Sequence, residues 1–302
     1  MQLTNVVVDF AGKKVLNDIT ITFQQGELIG LVAPNGTGKS TLMNVIMNYV
    51  TPHAGEVSFK DGLRYTSKQN EVKIHQFVSM MPDQSDLYNH LSGRTHLAMY
   101  ATMWGSDKRL IQQTIDQLQM GHYVDKKTGT YSLGMRQRLC FAMQMVANTE
   151  IMLMDEVMNG LDPNNVEIIS HILLQKRAEG KLIIIASHLL DNLEKYADRI
   201  FLFKGGQLVY VNDIVEGFGT NQITALRVKQ LSEAGRLAVK QAYPNVKMET
   251  LVNEMTIISL ADVQADAQST LMNILTTHGA SEITFGRVTL NDLYAMYYHA
   301  VQ

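Results

Sequence analysis

The chain has 302 residues, more than one domain of about 150 residues needs, so two domains are expected. With 46% hydrophobic and 18% charged residues it can bury a full core, which excludes a disordered or fibrous protein. Lys and Arg number 26 against 29 Asp and Glu, and basic runs stop at pairs such as Lys126-Lys127, so the charge argues against a polybasic nucleic-acid binder.

In chain order, Val6 to Asp9, Ile19 to Phe23 and Leu28 to Ala33 are predicted strands, and a helix begins near Lys39. Between about Leu91 and Asn148 the strand signal gives way to helix-period segments, so an all-helical insertion is expected there. In one of these segments Leu139, Ala142, Met143 and Val146 form a single apolar stripe. Strands resume at Ile151 to Asp155, Leu182 to Ser187 and Ile200 to Phe203, with a helix predicted from Asn164 to Glu179. The runs LIGLVA and LIIIAS are apolar at every position, which implies burial on both faces and a place in the middle of a largely parallel sheet. After Tyr210 the texture changes. Strands at Ile223 to Val228, Met255 to Leu260 and Ile283 to Phe285, with helices at Asp262 to Thr276 and Leu290 to His299, predict a small α+β unit without a cluster that supports chemistry. The 18 methionines are scattered and read as adaptable core filler.

The single cysteine, Cys140, cannot form an internal disulfide and excludes a cysteine-based metal cluster, in keeping with a reducing cytosol. The start MQLTNVVVDF lacks the regions of a signal peptide. Apolar runs fall far short of the ~18 residues of a membrane span, so work at a membrane requires a separate anchor.

The stretch ELIGLVAPNGTGKSTLMNVIMN runs from an apolar strand through Gly36 and Gly38 into a helix. Glycines let successive backbone N–H groups turn in on an anion, and the helix start adds unpaired N–H groups and a positive dipole end. Lys39 is placed to reach the β- and γ-phosphates of a nucleotide and the Ser40 hydroxyl to ligate Mg²⁺. The full GxxxxGK[ST] pattern has a first glycine, where this chain has Ala33. An alanine is tolerated if its backbone is of β type, since only a positive φ penalises its Cβ.

Further segments carry polar chemistry at element ends. The strand Ile151 to Met154 ends in Asp155-Glu156, where Asp155 is placed to hold Mg²⁺ through water and Glu156 to polarise a water aimed at the γ-phosphate. In YSLGMRQRL, Ser132 is a candidate N-cap and, with Gly134, leaves a helix N-terminus able to meet an anion. NGLDP puts Asp162 and Pro163 at a turn before a helix. His188 follows the buried strand LIIIA, where ligand-binding groups collect in an open α/β sheet.

At these residues the chain resembles the nucleotide-binding subunit of ATP-binding-cassette (ABC) transporters over about its first 215 residues. APNGTGKST is similar to the Walker A loop, YSLGM to the signature motif, IMLMDE to the Walker B strand and glutamate, LD to the D-loop, and His188 to the switch histidine, all in the family's order. The resemblance implies a P-loop NTPase (RecA-like) α/β core with a mostly parallel sheet and an antiparallel β subdomain. Its ABC ATPase domain would span 1–215, with a helical subdomain at about 88–150, and a small C-terminal accessory α+β domain would span 216–302. It implies that Ala33, Pro34, Asn35, Gly36, Thr37, Gly38, Lys39, Ser40 and Thr41 bind ATP, with Ser40 and Asp155 serving Mg²⁺. Glu156 would be the general base, His188 would touch the γ-phosphate and Asp162 would mark the D-loop. Phe10 either stacks on adenine or is a strand-end core residue. FVSMMPDQSDLYNHLSG is similar to the Q-loop, with Asp83 where glutamine is typical and Gln84 next; either side chain is a candidate for the metal and the attacking water.

Two subunits of this family pair head to tail, so Ser132 and Gly134 of one chain would cap ATP held by Lys39 of its mate, in a homodimer or a heterodimer. The implied partners are multi-span membrane (permease) subunits, with the chain cytoplasmic and peripheral on the inner face of the cell membrane, and no nucleic acid is expected. Leu87 and Tyr88 are candidates for an exposed contact with such a subunit or for burial within the insertion. YSLGMRQRL and the ending VTLNDLYAMYYHA resemble bacterial exporters of drugs, peptides or lipids, although a plain amphipathic terminal helix explains the ending equally. Two other readings stand beside ATP-driven export: a soluble ABC-type ATPase acting on ribosomes or DNA, and a low-turnover nucleotide-dependent regulatory module.

Overall fold

The structure is a computed structural model that describes residues 1–187, 190–211, 224–251, 254–260, 263 and 268–299. They form two compact units, Met1–Leu208 and Val209–Gln302. The boundary expected at 215 lies outside the described residues.

In the first unit, alternating burial along β1 (Gln2–Phe10) puts Leu3, Val6 and Val8 in a core, and β1 pairs antiparallel with β2 (Lys13–Thr22) and with β4 (Ala54–Ser58). The larger sheet has six strands in the order β5-β6-β7-β3-β8-β9: Val78–Met80, Ile151–Asp155, Leu182–Ala186, Leu28–Val32, Arg199–Lys204 and Gln207–Tyr210. From β5 through β8 every neighbouring pair is parallel. The all-apolar runs β3 and β7 are buried at every position and lie side by side in the middle of this sheet, as their composition predicts. Gly205-Gly206, both with positive φ, turn the chain from β8 into β9.

Two helices, α1 (Lys39–Ile46) and α2 (Lys68–His75), precede the insertion. Between residues 91 and 148 the regular elements are helices, chiefly α3 (Gly93–Met103), α4 (Arg109–Gln117) and α5 (Leu133–Ala147), as expected, with one isolated bridge between Ser92 and Lys127. The single stripe read for α5 is incomplete. Gln137, Cys140, Phe141, Gln144 and Met145 are buried as well, because α5 packs on α3 and α4 and also on β5. Burial pushes the Cys140 thiol up to about 12. The unit continues with α6 (Pro163–Ala178), capped by Asp162, and α7 (Leu190–Tyr196). Strands β4, β5 and β9 were not expected; none exceeds five residues, too few for a clear period.

The second unit is an antiparallel sheet in the order β11-β12-β10-β13: Met248–Thr250, Met255–Ser259, Thr224–Lys229 and Glu282–Arg287. On one face Leu226, Val228 and Ile258 pack with Val239 of α8 (Glu233–Ala242) and with Leu271 and Leu275 of α9 (Gln268–Thr277). On the other, Ala225 and Ile257 meet Ala295 and Met296 of α10 (Leu290–His299). Strands β10, β12 and β13 and helix α10 fall where the sequence pattern predicts them, whereas α8 and β11 were not expected. The start of the expected Asp262–Thr276 helix lies largely outside the described residues, where α9 is seen from Gln268. No helix among the described residues is long and apolar enough to cross a membrane.

Helix α10 is tied to the sheet by charge. Arg227 of β10 donates from Nε to Asp292 Oδ1 at 2.8 Å and from Nη2 to Asp292 Oδ2. Burial pushes the Asp292 carboxyl up, but Arg227 together with the Thr289 amide and hydroxyl outweighs burial and holds it below the usual carboxylate range. Such a group stabilises the fold above its unfolded pKa and loses that contribution as pH falls through its folded pKa. Asp292→Asn is therefore expected to destabilise this unit by about 3 kcal/mol at neutral pH. The gap from the parent, followed by thermal melting, should narrow below about pH 4.

Candidate nucleotide-binding site

The phosphate loop begins where β3 ends. Ala33 is buried and is not among the residues of positive φ, so its Cβ meets no backbone penalty. Pro34 explains why, since a residue before proline is held in the extended region. The loop is braced from within: Lys39 Nζ donates to the carbonyls of Ala33 at 2.6 Å and Pro34 at 3.0 Å, and the Thr37 hydroxyl donates to Pro34 O at 2.8 Å. Gly36 has φ of 77° and nothing within 4 Å of where a Cβ would lie, an open concavity. Gly38 has φ of 123°, and a Cβ there would stand 2.8 Å from the Phe203 ring and 3.0 Å from Val15 O. Helix α1 starts at this point with no side chain capping it and no acidic residue in its first turn, unlike α3, α5 and α6, which Ser92, Ser132 and Asp162 cap. Its first amides thus keep their capacity for an external anion.

A cavity of about 430 Å³ opens over the loop, lined by Val15, by Asn35 to Thr41 apart from Thr37, and by Asp155 and Glu156. Burial pushes the Lys39 ammonium's pKa down, and the carboxylates of Glu156 and Asp155 oppose that shift. Ser40 Oγ donates to Asp155 Oδ2 at 2.5 Å. A hydroxyl and a carboxylate side by side form an all-oxygen donor pair that fits Mg²⁺, which takes one or two protein ligands and fills the rest of its octahedron with water and phosphate oxygens. Groups of three or more His, Cys, Asp or Glu able to hold a metal are absent among the described residues.

A second cavity, of about 480 Å³, lies along the Q-loop segment and shares Asp155 and Glu156 with the first. Asp83 and Gln84 both line it, but they do different things. Asp83 caps the turn Gln84–Asp86, accepting from the Ser85 hydroxyl at 2.6 Å and the Ser85 amide at 2.8 Å, and these bonds hold its carboxyl below the usual range. Gln84 instead donates from Nε2 to Gln137 Oε1 at 2.5 Å.

The remaining expected residues lie elsewhere. Phe10, at the end of β1, is 51% exposed, which removes the core alternative. Ser132 caps α5 by accepting from Met135 N, and Leu133 beside it is 63% exposed. Gly134 lies against the turn before α6, its Cβ direction 3.4 Å from Gly160 O. Neither Ser132 nor Gly134 lines either cavity. Asp162 accepts from Asn165 N at 3.0 Å. Leu87 is buried, so it is no surface contact, whereas Tyr88 is 53% exposed and stacks on His96. His188 lies outside the described residues. Val15, Asn159 and Gln137 were not singled out from sequence. The first two carry no chemical signal there, and Gln137 sits off the apolar stripe that marked its helix.

The fold and this loop define a P-loop nucleotide-binding protein. The family model described as ABC transporter matches residues 16–159. An uncharacterized ABC transporter ATP-binding protein of Bacillus subtilis (strain 168), YhcH, is 31% identical over 237 residues, covering 78% of this chain and 77% of that protein. The lantibiotic transport ATP-binding protein SrtF of Streptococcus pyogenes is 29% identical over 206 residues, 68% of this chain and 87% of that protein. In fold, the chain is similar to the dimeric post-hydrolysis state of the ATP-binding cassette MJ0796 bound to ADP and Pi, with a TM-score of 0.61, 21% identity and coverage of 68% of this chain and 95% of that one. The chain belongs to the ABC transporter ATP-binding proteins and is an ATPase of that family.

Two substitutions check the loop. Ala33→Gly is expected to lower stability by about 0.4–1 kcal/mol through the unfolded chain while leaving ATP affinity unchanged. Gly38→Ala must displace Phe203 or the Val15 backbone, and should lower both the melting temperature and ATP binding, measured by calorimetric titration.

Proposed function

We propose that this chain drives export of a drug, peptide or lipid class of substrate through separate multi-span membrane subunits, on whose cytoplasmic face it sits as a peripheral protein. The observation that carries the nucleotide part is the buried Lys39 at an uncapped helix start, facing the Asp155-Glu156 pair across one cavity. Residues Ala33 to Thr41 hold the phosphates, and Phe10 stacks on the base. Mg²⁺ held by Ser40 and, through water, by Asp155 would neutralise phosphate charge. Glu156 accepts a proton from the attacking water, and His188 contacts the γ-phosphate. The non-positive φ at Ala33 removes one sequence argument for a low-turnover module.

Ser132 and Gly134 then act on ATP bound by a second subunit, identical or related, with Asp162 at the facing D-loop. The start of α5 supports this: Ser132 caps it at the surface and neither Ser132 nor Gly134 lines a cavity over their own chain's phosphate loop. Gln84, whose side chain reaches toward the catalytic turn, is the better candidate for sensing nucleotide than Asp83, whose carboxylate is taken up by its own turn. The permease docks at the Q-loop cavity, which Tyr49, 66% exposed, and Met80 help to line. A transport role is supported by the relative named a lantibiotic transport ATP-binding protein. The second unit serves as an accessory domain.

Glu156→Gln is expected to keep ATP binding, lose turnover by about 10²- to 10⁴-fold and accumulate a dimer with ATP, read by size-exclusion chromatography. Hydrolysis at the parental rate would remove Glu156 from the role of base. Tyr49→Asp should leave basal ATPase activity intact and strip the protein from the membrane fraction of cells that express its permease; undiminished recruitment would refute the docking surface.

A further inference from the structure

Gln137 is 5% exposed in the second turn of α5, and its amide joins three segments of the chain. Oε1 accepts from Gln84 Nε2 at 2.5 Å, while Nε2 donates to the main-chain carbonyls of Glu156 at 2.9 Å and Val157 at 3.0 Å. The network fixes the amide's orientation, since a flipped group would set an oxygen against two carbonyl oxygens. The neighbouring Arg136 ties the same loop to α5, reaching Gln84 O at 3.4 Å and Asn89 Oδ1 at 2.5 Å.

What Gln137 holds is an unusual piece of backbone. Glu156 has φ of 53°, a left-handed conformation that strains a residue with a Cβ and persists only where its surroundings impose it. The Glu156 amide donates to Ala186 O at 2.9 Å, fixing one side of the turn. On the other side the Glu156 carbonyl accepts from the Asn159 amide at 3.1 Å and from Gln137. Gln137 is the side chain that links this turn to the Q-loop. Gln144, a second buried glutamine on the same helix, binds instead to Ser79 O at 3.2 Å and Ser79 Oγ at 2.9 Å, away from the turn.

We infer that Gln137 is a positioning residue for hydrolysis: it clamps the left-handed turn that aims the Glu156 carboxylate, and it passes displacement of the Gln84 segment to that turn. The inference rests on the reading of Glu156 as the base. Two substitutions isolate the clamp. Gln137→Glu keeps the side-chain volume but replaces the donor with an oxygen facing two carbonyls, and Gln137→Met removes donor and acceptor together. Gln144→Leu controls for loss of a buried amide from the same helix.

The measurements are Mg-ATP hydrolysis by the full chain, ATP binding by equilibrium dialysis, and thermal melting. Both Gln137 substitutions are expected to lower kcat about 10- to 100-fold, the scale of an ångström-level misplacement. ATP affinity should stay within about threefold, since binding and turnover separate when a group acts only on the reacting geometry. Gln144→Leu should lower the melting temperature while keeping the parental kcat. Parental kcat in both Gln137 variants, with Glu156→Gln inactive, overturns the clamp but not the base. A fully active Glu156→Gln overturns the base and the clamp with it. If both Gln137 variants fail to fold while Gln144→Leu folds, or if they lose activity only in proportion to lost ATP binding, Gln137 is a structural residue and the inference fails.

Discussion

A cation kept almost out of water has to be compensated, and in this protein the compensation of Lys39 organises the site. Burial disfavours its charge. Two carbonyls of its own loop and two carboxylates from a different strand restore it. To bring its carbonyls to the ammonium the loop must double back, which is why it carries positive φ at Gly36 and at Gly38, where Phe203 and Val15 leave no room for a side chain. To bring the carboxylates near, Asp155 and Glu156 must stand where β6 ends. The lysine cannot be moved without undoing both arrangements. An arriving polyphosphate meets a charge whose desolvation the fold has already met.

The parallel sheet makes that meeting possible. Because β3, β6 and β7 run in the same direction, their carboxyl ends share one edge, and the residues following them converge there: the phosphate loop, the carboxylate pair and Ser187. A strand buried on both faces is a stiff support, since its side chains are locked by packing above and below. The carboxylates form the wall between two cavities, one over the phosphate loop and one along the Q-loop. Whatever shifts the second cavity therefore acts on the first through a shared wall.

Much of this was legible in the sequence because it depends on local signals. All-apolar β3 and β7 announced a central position, and the GKS segment announced an anion site whose lysine and serine the structure brings to one cavity. Ala33 looked like a defect until the following proline is counted, since proline selects the backbone that an alanine tolerates. What was not legible depends on packing between distant segments. The amphipathic reading of α5 failed because the helix is covered on both sides, so a polar residue off the stripe is as buried as one on it. Leu87 was equally ambiguous: an apolar residue in an acidic turn reads as exposed or buried until the neighbouring helices are placed. Strand β11, with three residues, is created by its pairing with β12 rather than by its own pattern.

Helix α5 shows how those two kinds of information combine. Its first turn carries Ser132 and an exposed Leu133, its second carries Arg136 and Gln137 on the Q-loop, and its later turns are anchored through Gln144 to β5. At 1.5 Å per residue, Ser132 and Gln137 are separated by about 7.5 Å along the axis, with an unbroken helix between them. Residues 139–147 are buried at every position while Ser132 and Leu133 stay exposed, so packing holds the later turns and leaves the first open to a contact. The Gln137 amide meets the backbone of Glu156, whose left-handed turn is also held by the Asn159 amide and the Ala186 carbonyl. One continuous helix thus carries both the exposed first turn and the amide that binds the backbone beside the carboxylate.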